Sequence, residues 1–180
     1  SFSKNHTMPY SAEALQEMNL YHFYPHVFWN CSVLNVNAGL SDTENTKSTD
    51  YGKIAKAIYR SIKFGVPVSP PSLNDSDIGF TPLEETNSIF FGLGGIAGIN
   101  QNIIDQIISN RPYASFKDFY NKNSYDGSLI TNSKFVTLIK AGCFDEFERN
   151  RIKVMKQYIV LSTPVKSELT MQNLPEIMRI

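Results

Sequence analysis

The stretch Ile89–Ile108, IFFGLGGIAGINQNIIDQII, carries the residues best suited to holding a ligand. Gly92, Gly94, Gly95 and Gly98 let the backbone come close where a Cβ would obstruct it. Ile99, Ile103, Ile104, Ile107 and Ile108 then recur at helical spacing and commit one face to a core. A short strand, a glycine turn and an amphipathic helix are therefore expected in that order. Backbone N–H groups at such a helix start form a ready anion site. The anion expected is a phosphate, either of a nucleotide or of a nucleic-acid backbone. A second set with the same chemistry is Lys53, Lys56, Arg60 and Lys63, which fall within about a quarter-turn on one side of an expected helix. No acid interrupts that row, which is either a solvated face or a contact for a phosphate backbone. Near the start, SFSKNHT is polar and brings Lys4 and His6 close together.

Composition narrows the choices. A chain of 180 residues holds one medium core or two small ones, and 42% hydrophobic with 12% aromatic content is that of a globular protein. No apolar run approaches the roughly 20 residues a membrane span needs, and no signal-peptide pattern opens the chain, so no membrane partner and a cytoplasmic location are expected. Cys31 and Cys143 lie far apart, which fits a reducing compartment better than a disulfide scaffold. Two cysteines and three scattered histidines make no zinc spacing, so no metal site is expected. With 17 basic and 17 acidic residues the net charge is zero, which excludes a wholesale polyanion binder; any nucleic-acid surface must come from local clustering. The glycines match neither the Walker nor the dinucleotide pattern, and no strand–helix alternation surrounds them.

The elements that would position these groups follow from local signals. A first helix is expected from about Ser11, as N-cap, with Leu15, Met18 and Tyr21 on its apolar face. Tyr24-Pro25 breaks it, and a second helix follows with Val27, Phe28, Cys31 and Leu34 buried. After a polar loop over 35–49, Asp50 caps a helix over Tyr51–Phe64, closed by Gly65, with Ile54, Ala55, Ile58 and Ile62 on its core side. Val66–Pro71 must be extended. Ile78-Gly79-Phe80 and Ile89-Phe90-Phe91 read as a small hairpin leading into the glycine stretch. Phe116, Phe119 and Tyr120 make a brief helical turn. Thr131 or Asn132 then caps a helix ending at Ala141-Gly142, and Asp145 is placed to cap another from Glu146 to about Leu161. The fold class expected is mainly α with a small β hairpin. A helical segment over 1–75 is followed by a connector over 76–92, two helix–glycine–helix corners in tandem over 93–162, and a linker or docking tail over 163–180.

Several stretches, taken together, resemble the bacterial C-family replicative DNA polymerases, the DNA polymerase III alpha subunits. Phe2, Lys4, His6, Tyr10 and Ser11 stand as in that family's Phe-Asn-Lys-Ser-His segment of the fingers, with Ser3 and Asn5 exchanged around Lys4. Tyr24-Pro25-His26-Val27-Phe28 is similar to its Tyr-Pro-x-x-Phe corner. Gly65-Val66 through Pro70-Pro71-Ser72-Leu73-Asn74-Asp75-Ser76 resembles its Gly-hydrophobic…Pro-Pro-Asp-Ile-Asn-x-Ser element. Phe91–Ile99 is close to the entry of its tandem helix-hairpin-helix, and Leu138–Asp145 with Asn150-Arg151 matches the second half of that module. The resemblance covers about residues 1–158 in the family's order.

The resemblance implies part of a DNA-directed DNA polymerase, comprising the end of the fingers and a helix-hairpin-helix pair that grips duplex phosphate. The metal-binding aspartates of that family lie in the palm, upstream, where they hold two Mg²⁺ ions. The chain alone is therefore expected to be inactive and to need a palm-bearing chain or segment as partner. Primer-template DNA and a sliding clamp are further expected partners. Lys4 and His6 are the candidates for the triphosphate of an incoming nucleotide. Gly98, Ile99, Asn100, Gln101 and Gly142 are the candidates for DNA phosphate, with Lys53, Lys56, Arg60 and Lys63 as an additional basic stripe. Where the family has Gly-hydrophobic-Gly this chain has Gly98-Ile99-Asn100, and Asn tolerates the positive φ expected there. The lysine common two residues earlier is Ala97. Ser1 coincides with an intein insertion site of the family and could be the nucleophile of a splice junction; a boundary chosen by an experimenter is the equal alternative. A stand-alone helix-hairpin-helix DNA-binding or scaffold protein is the competing function.

Overall fold

The structure is a computed structural model that describes residues 4–39 and 50–163. Ser1, most of the tail expected over 163–180 and the side chain of His6 lie outside the described residues. The chain divides into two compact units. The first takes residues 1–69 and 80–90, the second 70–79 and 91–180.

The first unit opens with α1 (Lys4–Phe23), α2 (His26–Ala38) and α3 (Tyr51–Lys63). α1 starts at Lys4 rather than at Ser11 and continues through Pro9. Ser11 does not cap it; its hydroxyl donates to Thr7 O at 3.0 Å, one turn back. The break at Tyr24-Pro25 falls as expected, and Val27, Cys31 and Leu34 are buried on α2, but Phe28, expected beside them, is exposed, as are Leu15, Met18 and Tyr21 on α1. Asp50 caps α3, accepting from the N–H groups of Gly52 and Lys53 at 3.0 and 3.1 Å.

The buried face of α3 is turned relative to the expectation. Ile54, Ala57 and Ser61 are inside, whereas Ala55 is exposed and Ile62 is 53% exposed. The cause is Ser61, whose hydroxyl donates to Val66 O at 2.8 Å while its carbonyl accepts from Val66 N at 3.0 Å. A serine held to Val66, just past the helix, fixes the rotation of the helix, and the isoleucine one position on is left outside.

Three short strands complete the unit: β1 (Val68–Ser69), β2 (Thr81–Leu83) and β3 (Ser88–Phe90), in the order β1-β3-β2. β2 and β3 form the antiparallel hairpin, with Pro82 opposite Ile89. β1 adds to β3 in parallel, pairing Val68 with Ile89. Ile78-Gly79-Phe80 is not the first strand of the hairpin. The carbonyls of Asp77 and Ile78 are committed to Leu93 N and Gly94 N, each at 2.9 Å, and Phe80 N donates to Asn35 Oδ1 at 2.7 Å. The strand therefore begins three residues later than expected, at Thr81.

The second unit contains a 3-10 turn (Leu93–Gly95), α4 (Gln101–Ser109), α5 (Phe116–Asn123), α6 (Asn132–Ala141) and α7 (Arg151–Ser162). Its core is aromatic. Phe119 is fully buried and meets Tyr113, Phe135 and Phe144 edge-on at centroid distances of 4.8, 5.8 and 5.1 Å. Such pairs add about 1 kcal/mol each beyond burial. Ile103, Ile104 and Ile107 supply the α4 side of the same core, as the periodicity predicts. Residues 70–79 are clamped onto this unit. Arg111 donates from Nε to Leu73 O at 2.5 Å and from Nη2 to Ser76 O, and Glu146 accepts from Leu73 N at 3.0 Å. Burial of the Arg111 guanidinium pulls its pKa below the usual arginine value. Among the described residues no helix is long and apolar enough to cross a membrane.

Candidate nucleic-acid interface

The two helix–glycine–helix corners of the second unit hold five of the candidate residues. In the first corner Gly98 takes φ +79, the left-handed region that favours glycine. Asn100 does not share that geometry. At φ −95 and ψ 171 it is extended and serves as the N-cap of α4, its side chain accepting from Ile103 N at 3.1 Å. The chain needs only one left-handed residue to enter the helix, so the family's second glycine is replaced here by a capping asparagine. Ile99 is buried and its N–H donates to Ile96 O at 3.1 Å, so it anchors the turn. Gln101 is exposed, with its carboxamide donating to Asp105 at 2.8 Å.

No described residue accepts from the N–H groups of Asn100, Gln101 and Asn102. They point out of the positive end of α4, which favours an anion. Sequence reasoning missed the cation that joins them. Lys134, 36 residues downstream on α6, donates from Nζ to Gly98 O at 2.6 Å. Its neighbour Phe135 is locked between Phe119 and Tyr158, at centroid distances of 5.8 and 5.4 Å. Fixing Phe135 in the core sets the rotation of α6 and directs Lys134 to the turn. The only sequence signal is a lysine beside a core aromatic, which does not say which carbonyl it reaches. Lys134 thus supplies the charge that Ala97 lacks.

A buried polar network holds α4 from behind. Asn123, fully buried, accepts from Gln106 Nε2 at 3.2 Å and Asn110 Nδ2 at 3.0 Å. It donates to Phe119 O at 3.0 Å and to the Tyr113 hydroxyl at 3.3 Å. Every polar atom of that amide is partnered, so the network fixes α4 without leaving an unsatisfied group.

The second corner is built differently. Gly142, at φ +89, ends α6, and its N–H is spent on Ile139 O at 3.1 Å. α7 begins at Arg151 with Asn150 as N-cap, so the helix starts five residues later than Glu146. Asp145 is not a cap. It takes Arg151 bidentately, at 3.0 and 2.7 Å, while Arg151 Nη1 donates to Lys140 O at 2.9 Å. That carboxylate holds the Arg151 pKa above its ordinary value. Lys153 pairs with Glu148 at 2.5 Å, which pulls the Glu148 carboxyl below its usual range. Two cations of this corner, Arg151 and Lys153, are therefore paired with its own acids, while Lys140 and Arg149 are exposed and form no ion pair with a described residue.

In the first unit, Lys53, Lys56, Arg60 and Lys63 are all exposed on α3, and none forms an ion pair with a described residue. Lys63 Nζ lies 4.8 Å from the centre of the Tyr59 ring. Lys4 is exposed at the first residue of α1. Among the described residues no group of three or more His, Cys, Asp or Glu side chains is placed to hold a metal ion. The Cys31 thiol, pushed up to about 11 by burial, and the more deeply buried Cys143 thiol are poor nucleophiles.

Residues 65–154 match the helix-hairpin-helix motif family. Over 97% of its length the chain is 43% identical to "Probable DNA polymerase YorL" of Bacillus subtilis (strain 168). The "DNA-directed DNA polymerase" of Bacillus phage SPbeta matches to the same extent. The DNA polymerase III subunit alpha of Chlamydia pneumoniae is 36% identical over 58% of this chain and 8% of that protein. The chain spans 14% of the length of the first two relatives.

Proposed function

The chain belongs to the helix-hairpin-helix family, and from that premise we propose that it works as one segment of a C-family replicative DNA polymerase, holding the backbone of duplex DNA at its first corner. The carrying observation is the α4 N-terminus, where three N–H groups without a described acceptor meet the Lys134 ammonium at Gly98. Such a site neutralises a phosphate without reading a base. Binding there is sequence-independent and salt-sensitive. The agreement with DNA polymerases along 97% of the chain supports the same reading.

Phosphoryl transfer to the primer would draw on two Mg²⁺ ions that stabilise the attacking and leaving oxygens. The described residues of this chain do not fit that pair of ions. Metal binding and catalysis are assigned to a palm-bearing segment or chain, and no step of the chemistry is assigned here. Lys4, exposed at the start of α1, and His6 are proposed to face the triphosphate of the incoming nucleotide, with a sliding clamp as a further partner of the assembled enzyme.

The test joins two measurements. The chain should bind a labelled duplex with a linear salt dependence, and Lys134→Ala should lower that slope by about 0.9. Added to a polymerase chain that carries the palm but lacks this segment, it should restore primer extension. Duplex binding with no restoration would identify a stand-alone helix-hairpin-helix protein and overturn the polymerase reading.

A further inference from the structure

We infer that the exposed face of α3 is a binding surface for single-stranded nucleic acid. At about 100° per residue, Lys53, Lys56, Arg60 and Lys63 share one quarter of the helix circumference. With about 1.5 Å of rise per residue, the row runs about 15 Å along the axis. Tyr59 borders the row on one side. Phe64, the C-cap at φ −84 and ψ 10, continues the helix on the other. The two rings are 60% and 68% exposed, and Lys63 braces one face of Tyr59 at 4.8 Å.

That combination discriminates between forms of nucleic acid. A duplex presents its phosphates and hides its base faces, so cations alone would serve it. A single strand offers both, and proteins that bind it set a positive track beside aromatic side chains on which bases stack. The turn of α3 about its axis creates this surface. Because Ser61 and Ala57 face inward, Tyr59 and the four cations are left outside. Charge complementarity selects the occupant: four cations without a described anionic partner call for a polyanion, and the flanking rings call for unpaired bases. None of these residues belongs to the hairpin corners, so the surface can stand or fall separately from duplex binding.

The experiment compares the full chain with 5′-fluorescein-(dT)15 and with a labelled 15-base-pair duplex by anisotropy across a salt series. (dT)15 should bind more tightly than the duplex. The variant Lys56→Ala/Arg60→Ala/Lys63→Ala should lower the single-strand salt slope by about 2, since each cation counts for about 0.7. Tyr59→Ala should weaken (dT)15 binding about tenfold with the slope unchanged, and Tyr59→Phe should restore it. All these side chains are exposed, and an unchanged thermal melt would confirm that each variant folds. Lys134→Ala should weaken the duplex and leave (dT)15 untouched. Single-strand binding no tighter than duplex binding, or equal losses on both probes, or wild-type behaviour of Tyr59→Ala, would each overturn the assignment. Loss of the Lys134 effect alone would strike the hairpin reading and spare this one.

Discussion

The two helix–glycine–helix corners share a backbone plan and differ in what they do with charge. Each has one left-handed glycine and one asparagine N-cap, at Gly98 and Asn100 in the first and Gly142 and Asn150 in the second. In the first corner the nearest cation, Lys134, donates to a carbonyl and keeps its charge unneutralised. In the second, Arg151 and Lys153 are tied to Asp145 and Glu148 at 2.7 and 2.5 Å. A corner with an uncompensated ammonium and open N–H groups attracts phosphate. One that ties Arg151 and Lys153 to its own acids has less free charge at the turn and is held together by those pairs. On the proposed reading the same local fold serves as a binding turn in one place and as a structural turn in the other.

Substitutions can break that division. The largest effect on stability is expected from Gly142→Ala. The new Cβ would sit 2.8 Å from Arg151 Cζ and 2.9 Å from Asp145 Oδ2, on a residue at φ +89. A loss of about 2 kcal/mol in urea unfolding is expected, with duplex affinity per folded molecule unchanged. If that variant instead lost DNA binding while keeping its stability, the second corner would be a phosphate site after all. Asn100→Ala and Asn150→Ala each remove a helix cap and should each cost about 1 kcal/mol. Only Asn100→Ala should also weaken duplex binding, by fraying the first turn of α4. Lys134→Ala should change stability by less than about 0.5 kcal/mol, because its head group is at the surface, while still lowering duplex affinity several-fold. Equal responses from Lys134→Ala and Arg151→Ala in a duplex titration would erase the contrast.

The smallest expected effect is the pH dependence that Glu148 contributes in the second corner. Glu148 is held below its ordinary range first by the Lys153 ammonium and then by Asn150 N–H. A depressed carboxyl contributes stability that is complete above its unfolded value and is lost as pH falls through the folded one. The melting temperatures of wild type and Glu148→Gln should therefore differ near neutrality and converge toward pH 3. A gap that persisted in acid would mean that the side chain acts through packing.

Much of the frame was legible residue by residue. Asp50 as the cap of α3, Gly65 just past its end, the break at Pro25 and the isoleucine face of α4 all rest on signals within one or two turns of chain. The site was legible only as a location. Gly98 marks the first corner, yet Asn100 was expected to take a positive φ and instead caps the helix, because a single glycine completes the turn. The start of α7 was misplaced at Glu146 because Asp145 has the right type for a cap. Its carboxylate is taken by Arg151, six residues on.

By itself the sequence determined the mainly helical class, the order of the elements and the presence of two glycine corners. Those follow from propensity, capping and periodicity, which act between near neighbours. Tertiary structure alone decided three things: the rotation of α3 set by Ser61 on Val66, the parallel pairing of β1 with β3, and the arrival of Lys134 at Gly98. Each depends on packing that fixes where a side chain or strand points. The register of a core is a property of all the elements it joins, and no single stretch of the chain encodes it.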